Sequence, residues 1–245
     1  MKTKCQKYII LFLVLFSLFT RFFYYNLYPV PWRDSFYYVE VVNECIKNNS
    51  FPKHNVYDTE NNLPPLPIVI PWKISMLFKT SIINVGVALS IVVSLLLIVI
   101  FWYVCKMLFH SVTISTITSL ILSLHPVILD FSTQFSRDIY YIFFSTLLLF
   151  HLICFIQRHT CYFIVLLGFD SSMAFLCRYE AIEIFVMCTI LLSFLSKGLL
   201  NKFANIILYC FFCVIFLMLF SIYIDCYPEY FLGCYNKFIF YYNQI

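Results

Sequence analysis

Charged residues are scarce in this chain. They make up 11% of its 245 residues, and 62% are hydrophobic, whereas soluble domains have roughly 25% charged and 45–50% apolar residues. This composition excludes a soluble globular protein. The 16 Lys and Arg residues are scattered singly, so the net charge of +4 does not indicate nucleic-acid binding.

Glycine and metal-ligand motifs are also sparse. Transporters often have internal repeats and helices broken by Gly or Pro in mid-membrane, but this chain has only four Gly. The eleven Cys show no metal-site spacing, and we expect neither a metal nor a cofactor. Cys226 and Cys234 lie outside the apolar stretches, and whether they form a disulfide stays open.

About seven long apolar stretches account for more than half of the chain. Because about 20 helical residues cross a bilayer, we predict an all-α polytopic membrane bundle of about seven transmembrane helices. A basic leader precedes the first stretch, but bulky aromatic residues follow it without a cleavage site, so we expect this helix to be retained. The stretches are at roughly 8–28, 82–105, 111–129, 139–157, 160–177, 181–196 and 203–224.

Acidic residues are missing from one set of connecting segments. With a cytoplasmic N-terminus, all of the 12 acids except Asp170 lie outside or near outer helix ends. Lys and Arg near helix ends stay mostly in the cytoplasm. We therefore predict a multi-pass protein of the plasma or inner membrane with its N-terminus inside. Its transmembrane region is 1–228, with a first outer loop at 29–79, and 229–245 form an aromatic outer or interfacial tail.

The first outer loop has three parts. Residues 33–46 have the pattern of an amphipathic helix, with Tyr38, Val42, Cys45 and Ile46 on one side. The prolines of 63–67 predict an extended path. The apolar stretch 68–78 predicts an interfacial segment.

Several ionisable residues at membrane depth or at helix ends are candidates for function. Asp34 begins the amphipathic helix and is either a helix cap or a general base. Arg178 ends the fifth stretch and either extends to the headgroups, pairs with Glu180 or Glu183, or binds substrate. Asp170 lies within the same stretch, and its role stays open between structure and function.

The order of these landmarks resembles that of the membrane-embedded GT-C glycosyltransferases, which include protein O-mannosyltransferases and aminoarabinose transferases of bacterial envelopes. The resemblance covers about residues 1–200. It rests on the following motifs, in chain order: Arg33-Asp34-Ser35-Phe36-Tyr37-Tyr38, Leu63-Pro64-Pro65-Leu66-Pro67, His125-Pro126, Arg137-Asp138-Ile139-Tyr140 and Arg178-Tyr179-Glu180.

This resemblance implies inverting transfer of a sugar from a polyprenyl-phosphate carrier to an acceptor on the outer or lumenal face. Asp34 would be the base that deprotonates the acceptor hydroxyl, and Arg178 would neutralise the lipid phosphate. Asp138 would orient the acceptor or support the site. The substrate-binding residues would thus be Asp138, Arg137, Arg178, Glu180 and Tyr37. Membrane lipid would be a further partner of the protein.

Two other classes of protein fit the same sequence less well. The first is a catalytically inactive or truncated membrane scaffold, which the short chain favours over a full-length transferase. The second is a transporter or flippase, which the scarcity of glycine disfavours. For the transferase, we expect activity to need a companion membrane subunit or self-association.

Overall fold

Each predicted apolar stretch forms α-helix, because a helix satisfies its own backbone hydrogen bonds where no water is available. The computed structural model describes residues 2–28, 33–48, 65–196 and 199–224. Their side chains are described for 5–28, 35–48, 66–196 and 201–220. The predicted aromatic tail, together with Cys226 and Cys234, lies outside the described residues.

Ten α-helices and one short 3₁₀ helix, Tyr179–Ala181, make up this part of the chain. No β-strand occurs within it, so the predicted all-α class is confirmed. The helices are α1 (Lys2–Leu27), α2 (Arg33–Asn48), α3 (Pro65–Phe78), α4 (Ile82–Phe109), α5 (Val112–Leu124), α6 (Pro126–Ser132), α7 (Asp138–Arg158), α8 (Cys161–Cys177), α9 (Ile182–Leu195) and α10 (Leu199–Ile224).

Four of the described helices, α1, α4, α7 and α10, are long and apolar enough to cross a membrane. The pair α5 and α6 would add a fifth span, although the two helices are bent by 63° at His125. The shorter α8 and α9 have 17 and 14 residues, against about 20 for a full crossing. The protein is therefore polytopic, and the count of seven crossings stays a prediction.

Residues 65–67 of the proline-rich segment differ from the predicted extended path, whereas residues 63 and 64 lie outside the described residues. Helix α3 begins at Pro65 and includes Pro67 and Pro71. The first turn of a helix has no intrahelical partner for its N–H groups, so a proline there loses no hydrogen bond. The first two of these prolines thus start a helix instead of preventing one.

The predicted amphipathic helix is present as α2. Of the four residues predicted to share one side, Tyr38, Val42 and Cys45 are buried against α3, but Ile46 is 38% exposed. Val41 is buried instead of Ile46. The side of α2 that faces α3 is therefore centred on residues 38, 41, 42 and 45, which have the spacing of one side of a helix. Helix α2 therefore packs against the rest of the protein through one apolar side.

Among the polar contacts that join helices inside the bundle, two involve a fully buried ionisable side chain, Arg21 or Asp170. The buried guanidinium of Arg21 in α1 donates from Nε to Ser94 Oγ of α4 at 2.5 Å. Further along the chain, His151 Nδ1 of α7 lies 2.6 Å from Asp170 Oδ2 of α8, and the Asp170 side chain is fully buried. Asp170 therefore has a partner on a neighbouring helix. Its other oxygen, Oδ1, makes no hydrogen bond among the described residues.

Replacing His151 by leucine should lower the free energy of unfolding by about 3 kcal/mol, because it leaves a buried carboxylate without its partner. Replacing both His151 and Asp170 by leucine should cost less, since no polar group is then left unpaired. Denaturant titration of the purified protein in detergent micelles measures both changes.

His125→Leu is the matched control, because His125 is exposed and its side chain makes no capping hydrogen bond. It should unfold as the native chain does. If the double variant is less stable than His151→Leu, the loss of stability in His151→Leu does not come from breaking the His151–Asp170 pair.

Candidate functional site

The candidate site lies where α7 begins and α8 ends. Asp138 is the first residue of α7, and Arg178 directly follows the last residue of α8. Only residues 159–160 separate the two helices, so they run antiparallel. The start of one and the end of the other therefore lie at the same end of the bundle.

Arg178 contacts both of its acidic neighbours. Its Nη1 donates to Asp138 Oδ1 at 2.6 Å. Its Nη2 and Nε donate to the two carboxylate oxygens of Glu180 at 3.2 Å and 3.4 Å. Its backbone N–H donates to Ala174 O at 2.9 Å, and its carbonyl accepts from the N–H of Ala181 at 3.1 Å. Both the backbone and the side chain of Arg178 are thus held in place.

Asp138 has hydrogen bonds to both carboxylate oxygens. Oδ1 accepts from Arg178, and Oδ2 accepts from the hydroxyl of Ser136 at 3.4 Å. The backbone N–H of Asp138 donates to the same hydroxyl at 3.2 Å. A carboxylate in the first turn of a helix is also stabilised by the helix dipole. This arrangement suits a residue that orients Arg178.

Electrostatics keep the Arg178–Glu180 pair charged. Burial alone would lower the pKa of Arg178, but the hydrogen bond to Glu180 and the charge of Asp138 outweigh burial and raise it. Burial would likewise raise the pKa of Glu180, but its own backbone N–H and Arg178, together with the charge of Arg137, lower it. The ion pair therefore persists through neutral and mildly acidic pH.

The guanidinium of Arg178 retains capacity for a further anion. A guanidinium has five N–H donors, and three of those in Arg178 point to carboxylates. The side chain is 31% exposed, and its Cζ lies 5.7 Å from the centre of the Tyr141 ring, within the range of a cation–π contact. The other two donors make no hydrogen bond among the described residues and are left for a ligand at this end of the bundle.

Asp34 lies in the first turn of α2, and its side chain is outside the described residues. The next residue shows where that turn is placed. The hydroxyl of Ser35 is buried and donates to the carbonyl oxygen of Phe135 at 3.2 Å. Phe135 is three residues before Asp138. The first turn of α2 therefore contacts the segment that directly precedes Asp138 of the Asp138–Arg178 cluster.

Tyr37, the remaining predicted substrate residue, is also on α2. It is partly buried against the apolar cluster that α2 forms with α3, and its ring centre lies 6.2 Å from that of Tyr38. Arg137 precedes α7, and its Nε is buried without a hydrogen-bond partner among the described residues. The structure thus joins Arg178, Asp138 and Glu180 directly and places Arg137 and Tyr37 on adjoining segments.

A cleft of about 210 Å³ opens beside the first turn of α2. It carries no charged side chain, and both aromatic and hydrogen-bonding groups line it. Its walls come from the end of α1, the start of α2, the start of α4 and the segment before α7. The lining residues are Tyr25, Tyr28, Ser35, Phe36, Val39, Ile83, Val87, Thr133, Gln134 and Phe135.

A second cleft, of about 180 Å³, lies between α8, α9 and α10. Its lining is almost entirely apolar, with Phe175, Phe185 and Leu217 among the larger side chains. Ala181, three residues after Arg178, forms part of its wall. The wall of the apolar cleft thus includes a residue that is close to Arg178 in the sequence.

Sequence reasoning missed three residues near these groups: Tyr141, Phe135 and Gly86. Tyr141 had a usable signal, because it is three residues after Asp138 and so shares its side of α7. Phe135 packs closely against Gly86 of α4. These two residues had no such signal, since their contact joins a loop to a helix far from it in the chain. Among the described residues, no group of three His, Cys, Asp or Glu side chains could hold a metal ion.

Comparison with known protein families matches residues 62–224 to the family described as dolichyl-phosphate-mannose-protein mannosyltransferase. The matched range includes the Asp138–Arg178–Glu180 cluster and begins after Asp34. No curated protein and no solved structure matches the chain. The family match covers well over half of the chain and agrees with its apolar helices. The chain is therefore an integral membrane protein that belongs to the dolichyl-phosphate-mannose-protein mannosyltransferase family of membrane glycosyltransferases.

Proposed function

We propose that this protein transfers a sugar from a polyprenyl-phosphate carrier to an acceptor hydroxyl, with inversion at the anomeric carbon. The observation that carries the proposal is the anchored Arg178, which two carboxylates hold while two of its N–H donors stay available. A fixed cation with free donors at a helix end suits a phosphate leaving group.

The reaction needs one base and one stabilised leaving group. Asp34 takes the proton of the acceptor hydroxyl as the oxygen attacks the anomeric carbon. The bond between that carbon and the phosphate oxygen breaks, and its electron pair stays on the phosphate. Arg178 offsets the charge that develops there, which lowers the barrier because the guanidinium is already in place.

Asp138 and Glu180 act by positioning. They hold the guanidinium from two sides, so that little reorganisation is needed when the phosphate becomes more negative. Asp138 accepts hydrogen bonds on both of its carboxylate oxygens, one of them from Arg178. This division of labour leaves the base on a different element, the first turn of α2.

The two clefts suit the two substrates. We assign the apolar cleft between α8, α9 and α10 to the first isoprene units of the carrier, because its lining is apolar and its wall includes Ala181, three residues after Arg178. We assign the cleft beside Ser35 to the acceptor, because it adjoins the turn that carries Asp34 and offers hydroxyl and amide groups without a charge. The two substrates would then approach the cluster from different sides.

The test is a transfer assay of the purified chain in detergent or nanodiscs with polyprenyl-phosphate mannose as the donor. Transfer from the lipid-linked sugar, and none from a nucleotide sugar, is expected. Co-expression with a second membrane subunit and comparison of monomer with dimer fractions will show whether a partner is needed. If no preparation turns over, the inactive scaffold becomes the better description.

A further inference from the structure

Gly86 of α4 is packed directly beneath an aromatic ring. A methyl group at this position would lie 2.5 Å from Cγ of Phe135 and 2.8–2.9 Å from its two Cδ atoms. Carbon atoms in contact are normally 3.5–4.0 Å apart. No residue other than glycine fits there unless the ring moves.

The backbone of α4 does not explain this glycine. Gly86 is buried within a regular helix and has no positive φ. Glycine inside a helix is unfavourable compared with alanine, because it loses more conformational freedom on folding. Glycine is needed at this position because the Phe135 ring leaves no room for a side chain.

Phe135 connects α4 to α2. Its side chain is only 1% exposed, and its ring centre lies 5.4 Å from that of Tyr38 in α2. Its carbonyl oxygen accepts the hydrogen bond from Ser35. The ring thus lies on Gly86 while the backbone of the same residue holds the first turn of α2.

We infer that Gly86 is a positioning residue for the active site. By letting the Phe135 ring pack closely against α4, it sets the position of the segment 133–137. This segment places the first turn of α2 and the start of α7 relative to each other. Asp34 lies in that turn, and Asp138 begins α7. The inference rests on the proposed function, in which Asp34 and the Arg178 cluster act on one reaction.

Gly86→Ala should displace the ring and with it the first turn of α2. A misplacement of about 1 Å costs on the order of 100-fold in rate, so we expect kcat for sugar transfer to fall by about 10- to 100-fold. The KM for the lipid donor should change much less, because Glu180 and the backbone also hold Arg178 and the apolar cleft is on other elements. Hydrogen–deuterium exchange of peptides from 33–48 should become faster.

Phe135→Leu should partly restore the Gly86→Ala variant, since a smaller and more flexible side chain can turn away from the added methyl group. The double variant should therefore have a higher kcat than Gly86→Ala alone. Such non-additivity is what two residues acting through one contact produce.

Gly168→Ala is the matched control. A methyl group there would lie 2.8 Å from Cβ of Phe212, so the crowding is comparable but falls between α8 and α10. This variant should lose thermal stability while peptides from 33–48 exchange at the native rate.

The exchange measurement separates this inference from the proposed function. Native exchange of 33–48 in Gly86→Ala, or faster exchange with native kcat, would overturn the positioning role. If the native chain transfers no sugar, the proposed function fails, and faster exchange in Gly86→Ala would still support the contact between Gly86 and α2.

Discussion

Asp34→Asn should lower the turnover of sugar transfer by about 100- to 10,000-fold, the usual cost of losing a general base. Asparagine keeps the size and polarity of the side chain but cannot accept the proton of the acceptor hydroxyl. Binding of the lipid donor should change little, because Arg178 makes the phosphate contact in our proposal. Initial rates with polyprenyl-phosphate mannose, together with donor binding, measure the two effects.

Glu40→Gln is the matched control for this change. Glu40 is on the same helix, is exposed and undergoes the same replacement of an acid by an amide. Its activity and its amount in the membrane should equal those of the native chain. Native turnover by Asp34→Asn would return Asp34 to the role of a helix cap, as would a loss of turnover matched by a loss of folded protein.

Arg178→Lys should reduce kcat by about 100-fold, comparable to the loss of one donor that stabilises a transition-state anion. Lysine keeps the charge but lacks the planar fork that now reaches Asp138 and Glu180. It cannot hold both carboxylates and still present fixed donors to a phosphate. Steady-state kinetics at saturating lipid donor test the prediction.

Arg158→Lys serves as the control, because Arg158 is an exposed residue at the far end of α7. It should be as active as the native chain. If Arg178→Lys also retains native kcat, Arg178 is only a surface cation, and the phosphate must be bound elsewhere.

Local properties of the sequence determined where the helices are. The apolar stretches and the charges at their ends fixed the all-α class, the start of α7 at Asp138 and the end of α8 before Arg178. These features were predictable because an unpaired backbone is too costly in a bilayer. The prolines of α3 were misjudged, since a proline is equally at home in an extended chain and in a first helical turn.

Only the tertiary structure decided which side chains meet. Asp138 and Arg178 are 40 residues apart, and Ser35 and Phe135 are 100 residues apart. Hydropathy does not specify how far each helix is rotated about its axis or which neighbour it faces. The partner of Asp170 on α7 and the ring over Gly86 likewise follow from close packing between helices. In an apolar bundle many faces are equally hydrophobic, so shape and polar contacts, which depend on all the helices together, select the arrangement.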